Sequence, residues 1–282
     1  MTDPTDPRAL PAAHPAPGGL PPQTALMTQR AVFTEAYAVI PRTCMSDITA
    51  SFLPGWRGMR MWVLARPMTG FSETFSQYLV ELDAAGGSDA PETDTGAQSV
   101  IYVVAGEVAL TLDGTGHQLP AGGYAWIAPG ARWTLDSPSG ARFHWVRKIW
   151  QAAPGARVPA SFVTTEAEGT HVAMPGTEGR WATTRFVDPA DTNHDCHVNI
   201  VTFEPGGTIP FEETHVMEHG LMVLEGKAVY RLNRDWVEVE AGDFMWLRAF
   251  CPQACYAGGP GRFRYLLYKD VHRHAALGRP GA

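Results

Sequence analysis

The stretch Gly207-Thr-Ile-Pro-Phe-Glu-Glu213-Thr-His215-Val-Met-Glu-His219, followed by Gly226, decides how this chain folds. Glu213, His215 and His219 put one carboxylate and two imidazoles within seven residues. Two histidines and a carboxylate can hold a divalent ion on one face and leave other positions open. The flanking glycines and apolar runs read as strand and turn. The spacing is therefore that of a metal site inside a β-barrel, not of a zincin helix, which needs His-Glu-x-x-His. Glu213 and His215 are two apart, so on one strand both point to the same side. His219 is expected on the next strand, across a tight turn.

The same punctuation occurs earlier in the chain. Gly86-Gly87 answers Gly206-Gly207, Gly106 answers Gly226, and Ala121-Gly122 answers Ala241-Gly242, each 120 positions apart. The apolar runs keep the offset: Ala125-Trp126-Ile127 corresponds to Met245-Trp246-Leu247. A fixed offset implies one architectural unit used twice. Within each unit the apolar segments are short, as in Tyr78-Leu-Val-Glu-Leu82, Val198-Asn-Ile-Val-Thr-Phe203 and Phe263-Arg-Tyr-Leu-Leu-Tyr268. Turn signals such as Asp113-Gly-Thr-Gly116 and Gly258-Gly-Pro260 separate them. The spacing predicts an all-β chain of two tandem jelly-roll barrels. The first is expected over residues 27–150 and the second over 161–272, with a linker at 151–160 rich in Pro and Gly. Residues 1–26 are expected to be a disordered Pro/Ala-rich tail, and residues 273–282 a C-terminal tail.

Composition narrows the function. The 282 residues are 45% hydrophobic and 18% charged with a net charge of -7, enough for one large core or two smaller ones. No basic patch invites nucleic acid, and no apolar run approaches the roughly 20 residues of a membrane span. A cytoplasmic protein acting on a small molecule is expected. Cys44, Cys196, Cys251 and Cys255 are too sparse for a disulfide framework and read as reduced thiols.

The order Gly207, Glu213, His215, His219, Gly226 resembles the first cupin motif. In the place of the second motif stands Gly242-Asp-Phe-Met-Trp-Leu-Arg-Ala-Phe-Cys-Pro-Gln253, with Gln253 where histidine is usual. The chain resembles a bicupin. The Glu-x-His-x-x-x-His-Gly run, Gln253 and Tyr265-Leu-Leu-Tyr-Lys269-Asp270 are together similar to the (S)-ureidoglycine aminohydrolase family of purine and allantoin breakdown. The likeness spans residues 27–272 and is most specific in the second barrel. It implies hydrolytic release of ammonia from (S)-ureidoglycine to give (S)-ureidoglycolate. It also implies metal binding by Glu213, His215, His219 and Gln253, with Glu213 and Gln253 near the substrate's amino group. Two nitrogens and two oxygens suit a six-coordinate ion. The donors alone leave Fe²⁺ and Ni²⁺ open, and the resemblance points to Mn²⁺. Applying the offset, the corresponding positions of the first unit are Thr93, Thr95, Ser99 and Trp133, none a good ligand. The first barrel is expected to be metal-free and structural.

Tyr265 and Lys269 are four apart on a predicted strand and share a face with Leu267 between them. If that face is the barrel lumen, Tyr265 binds substrate, and Lys269 binds it and moves protons with its pKa lowered by its surroundings. Glu213 is the second candidate catalytic group. Arg231 and Arg248 are candidates for the substrate carboxylate by charge alone. Cupins commonly pair through strand edges, so a homo-oligomer is expected. A non-haem iron dioxygenase and a non-catalytic small-molecule-binding bicupin are the competing functions. His194-Asp-Cys196-His197 has metal-ligand residue types, but adjacent Cys and His on a strand face opposite ways. It reads as loop and strand entry, and His272 and His274 as part of a surface tail.

Overall fold

The computed structural model describes residues 30–45, 50–270 and 273. The expected N-terminal tail, and His272 and His274, lie outside these residues. The described residues form twenty β-strands and three short 3₁₀ turns. None of their helices is long and apolar enough to cross a membrane.

The 120-residue repeat is a repeat of strands. In the first unit β5 (Ala97–Leu112), β7 (Gly123–Ile127), β8 (Trp133–Ser137) and β9 (Ala141–Ile149) form a sheet with β4 (Ser76–Ser88). In the second, β15 (His219–Glu225) and β16 (Lys227–Leu232) take the place of β5. There β18 (Phe244–Leu247), β19 (Gln253–Tyr256) and β20 (Phe263–Lys269) take those of β7, β8 and β9. Gly106 and Gly226 mark the same bend, with φ of 73° and 72°. A Cβ there would lie 2.2 Å from the Gly140 carbonyl oxygen and 2.0 Å from that of Arg262, so only glycine fits.

Three apolar cores result. Each barrel has its own, one around Val80, Leu110 and Phe143 and the other around Val223, Tyr230 and Phe263. A third lies between the barrels, where Trp62, Leu79 and Trp126 of the first meet Ile200, Met222, Trp246 and Tyr268 of the second. Strands facing this layer are buried on both sides. Along β15, Leu221 and Val223 enter the second barrel while Met222 and Leu224 face the first; along β20, Tyr265 and Leu267 alternate with Leu266 and Tyr268 in the same way. Continuous apolar runs are what two-sided burial demands.

The barrels also exchange strands. β2 (Tyr37–Ile40), at the chain's start, pairs with β18 of the second barrel. β10 (Phe162–Thr165), just after the linker, pairs with β7 of the first. Sheet membership thus crosses the boundaries expected at 27–150 and 161–272. Those boundaries rest on turn residues, which do not encode pairing partners. Exchange covers an edge of each sheet that would otherwise present unpaired backbone groups.

His144 is fully buried in β9, and burial together with the nearby Arg142 charge lowers its pKa to about 3. Between pH 6.5 and 3 the unfolded chain binds a proton here that the folded chain refuses, so stability falls as pH falls through this window. His144→Leu should remove that contribution. The stability difference between variant and wild type should shift by ~1.4 kcal/mol per pH unit between pH 6 and 4, read by urea denaturation; parallel profiles would contradict it.

Candidate active site

The sheet made by β12 (Trp181–Arg185), β13 (His197–Phe203), β20 and β15 forms one wall of a pocket in the second barrel. Strand register sets the wall's pattern. His197, Lys269 and His219 lie side by side in one row, Asn199, Leu267 and Leu221 in the next, and Val201, Tyr265 and Val223 in the third. All except Val223 line the pocket. The opposite wall comes from β14 (Thr208–Glu213) and β19, which bring Glu213 and Gln253 together as a cross-strand pair. The cavity measures about 340 Å³, within the range of small-molecule sites.

All six site residues expected from the sequence, Glu213, His215, His219, Gln253, Tyr265 and Lys269, line this one cavity. β14 stops at Glu213, so His215 belongs to the connection to β15 rather than to the strand. Its carbonyl accepts the Phe250 N–H at 2.6 Å. That bond helps return the His215 ring to the side of Glu213, where its Nε2 lies 3.2 Å from Glu213 Oε1. The Gln253 amide donates to the same oxygen at 3.4 Å. The His215 and His219 ring centroids are 4.9 Å apart. Among the described residues no group of three or more His, Cys, Asp and Glu side chains is close enough to hold an ion as it stands. The donor chemistry nevertheless fits one. The buried His219 Nε2 has no hydrogen-bond partner, and burial, then the charges of His215 and Lys269, hold this imidazole well below its usual pKa. A neutral, unpartnered ring nitrogen next to a carboxylate and an amide is a ready metal donor.

Burial also lowers the pKa of Lys269; Glu213 opposes this and Arg185 adds to it. Tyr265 moves the other way, its phenol pushed well above 10 by burial, so it stays a hydrogen-bond donor.

The first barrel buttresses this wall from behind. Glu218, next to His219, is buried and accepts the Glu73 N–H at 2.7 Å, the Thr74 hydroxyl at 2.8 Å and the Trp246 indole N–H at 2.6 Å. Its own N–H donates to Asp270, next to Lys269, at 2.9 Å. Gly220 lies flat against Phe75 and Gln77 of the first barrel.

A cupin domain family model matches residues 199–268. An (S)-ureidoglycine aminohydrolase of Arabidopsis thaliana is 32% identical over 225 residues, 79% of this chain and 72% of the relative. The chain belongs to the (S)-ureidoglycine aminohydrolase family. A second member of that family, from Escherichia coli (strain K12), is 29% identical and covers 82% of this chain and 87% of its own. A crystal structure from Pseudomonas aeruginosa, described as a glyoxylate-induced protein, superposes with a TM-score of 0.86 at 64% identity, covering 93% of this chain and 97% of that one. The fold is a bicupin, as the repeat implies, and members of the aminohydrolase family are hydrolases of a C–N bond.

Much of the pocket wall is not legible in the sequence. Arg185, Asn199, Thr183 and Trp181 enter through β12 and β13. Asn199 alternates with Val201 on a strand whose position was legible, but nothing in the sequence told which face was inward. The sequence places His197 at a strand entry. It does begin β13, and it faces the pocket while Cys196 turns into the inter-barrel core. Arg231 and Arg248 lie elsewhere. Arg231 pairs with Glu212 at 3.2 Å and lies over the Trp236 ring. Arg248 lines a separate cleft beside Phe250.

A Cβ at Gly220 would come within 2.7 Å of Phe75 Cζ and of Gln77 Oε1. Gly220→Ala should therefore cost ~1–3 kcal/mol through overpacking between the barrels, measured from urea unfolding midpoints. An unchanged midpoint would contradict the close approach.

Proposed function

We propose that this chain is a metal-dependent (S)-ureidoglycine aminohydrolase of purine and allantoin catabolism. The observation that carries the reading is that Glu213, His215, His219 and Gln253 line one cavity, with Glu213 beside both His215 and Gln253, and that its wall also holds Tyr265 and Lys269. Glu213, His215, His219 and Gln253 would hold Mn²⁺, the ion favoured by a mixed nitrogen and oxygen donor set together with the family resemblance. Bound there, the ion would supply an electrophilic anchor for the substrate's polar atoms.

The protein's own groups do the rest. Glu213 and Gln253 orient the amino group. Tyr265, kept protonated, donates a hydrogen bond to the ureido group. Lys269 donates a proton to the departing amine, so the C–N bond breaks and ammonia leaves. The resulting neutral amine of Lys269 takes a proton from water as the new C–O bond forms. Substrate and water thus become (S)-ureidoglycolate and ammonia, and Lys269 ends as it began. Burial, which lowers the lysine's pKa, makes this exchange easier near neutral pH.

The test is ammonia release from freshly generated ureidoglycine by Mn²⁺-loaded protein, with oxygen consumption followed in parallel. Ammonia without oxygen uptake is expected; oxygen uptake without ammonia would make the site a dioxygenase, and binding without turnover a carrier. Lys269→Met should lower kcat by ~10²–10⁴-fold with metal content unchanged. Normal turnover by that variant would remove Lys269 from the chemistry. His219→Ala should reduce bound metal, measured by elemental analysis, well below one ion per chain.

A further inference from the structure

The pocket holds a cation that the reaction scheme leaves unused. Arg185 closes β12 and lines the same cavity as Lys269. Thr183 pairs with Val201 and Thr184 with Ile200, and continuing that register sets Arg185 beside Asn199, one row from the His197–Lys269–His219 row. Among the described residues its guanidinium has no hydrogen-bond or ion-pair partner. Three other arginines of the second barrel are paired: Arg231 with Glu212, Arg262 with Glu225, and Arg264 with Glu166 and Glu225. Asn199 beside it is 5% exposed, and its Oδ1 also lacks a partner. A buried acceptor and a forked donor left open on one wall are complementary to a ligand that brings an anion and an N–H group. Glu213 is the acidic side chain that lines the cavity, against Arg185 and Lys269, so the pocket favours an anionic guest even before a metal ion adds to its charge.

We propose that Arg185 is the carboxylate receptor of the site, binding the substrate's carboxylate through its guanidinium fork, with Asn199 accepting an adjacent N–H of the ureido group. The assignment rests on the aminohydrolase reading of the site. Planar, bidentate recognition of a carboxylate is the geometry guanidinium provides and ammonium does not. Anchoring the carboxylate on β12 leaves the amino-bearing carbon toward Glu213, Gln253 and Lys269. Arg185 is a specificity-determining group: it selects α-carboxylated ureides over neutral ones.

The experiment pairs kinetics with calorimetry. Wild type, Arg185→Gln and Arg185→Lys are compared for ammonia release from ureidoglycine and for binding of (S)-ureidoglycolate and N-(hydroxymethyl)urea, which lacks only the carboxylate. Wild type should prefer ureidoglycolate by ~10–100-fold. Arg185→Gln should lose most of that preference and raise KM by a similar factor, with a smaller change in kcat; Arg185→Lys should recover part of it. If either variant keeps both the wild-type preference and the wild-type KM, the assignment is overturned. A wild type that releases no ammonia, yet shows the Arg185-dependent preference, overturns the aminohydrolase reading and leaves the carboxylate subsite standing. A wild type that neither turns over ureidoglycine nor binds ureidoglycolate overturns both.

Discussion

Two-sided burial of the strands between the barrels is the constraint on which the site depends. On β15 positions 219, 221 and 223, and on β20 positions 265, 267 and 269, face the second barrel's interior, while 220, 222, 224, 266 and 268 face the first barrel. His219, Tyr265 and Lys269 therefore cannot move without dragging Gly220, Leu266 and Tyr268 through a packed interface. A one-residue slip would turn the donors out of the cavity and bring core residues into it. The positions of the functional groups are thus fixed by apolar packing on the far side of the same strands.

The repeat shows how one scaffold came to have two kinds of interior. Trp126 donates to Gln98 at 3.2 Å, and Trp246, 120 residues later, donates to Glu218 at 2.6 Å. Each acceptor is then tied to the opposite barrel: Gln98 donates to Asp195 at 2.5 Å, and Glu218 accepts from Glu73 and Thr74. Asp195 also binds Lys148 at 2.6 Å, an ion pair with both side chains only 1% exposed. The two halves are clasped in the same way. Inside they differ. In the first barrel Trp133 stands where the second has Gln253, and its ring lies 6.1 Å from that of Trp145, which stands where the second has Tyr265. Tyr78 and Trp56 pack on the same Trp145 ring. Aromatic packing occupies in the first barrel the region that in the second is an open cavity with polar walls.

Much of this was legible in the sequence because it rests on local features. The glycines recur at a fixed offset because the bends at Gly106 and Gly226 admit no side chain. Glu213, His215 and His219 were visible because they lie within seven residues of chain, around one short connection between strands. Tyr265 and Lys269 were visible because alternation puts them on one face. What escaped depends on pairing between distant segments. Arg185 enters the site only because β12 lies beside β13, and β13 beside β20, an order that composition and spacing do not encode. The exchange of β2 and β10 was hidden for the same reason. So was the role of Glu218, a residue inside the decisive motif whose partners lie 144 and 145 positions away.

The most direct test is crystallographic. Crystals of the full chain grown with Mn²⁺ should give, at the manganese absorption edge, one strong anomalous peak per chain. It should lie between Glu213, His215, His219 and Gln253, with none at Thr93, Thr95, Ser99 and Trp133. A protein that takes up manganese elsewhere, or leaves these four side chains apart with no peak between them, would contradict the metal centre and the chemistry built on it.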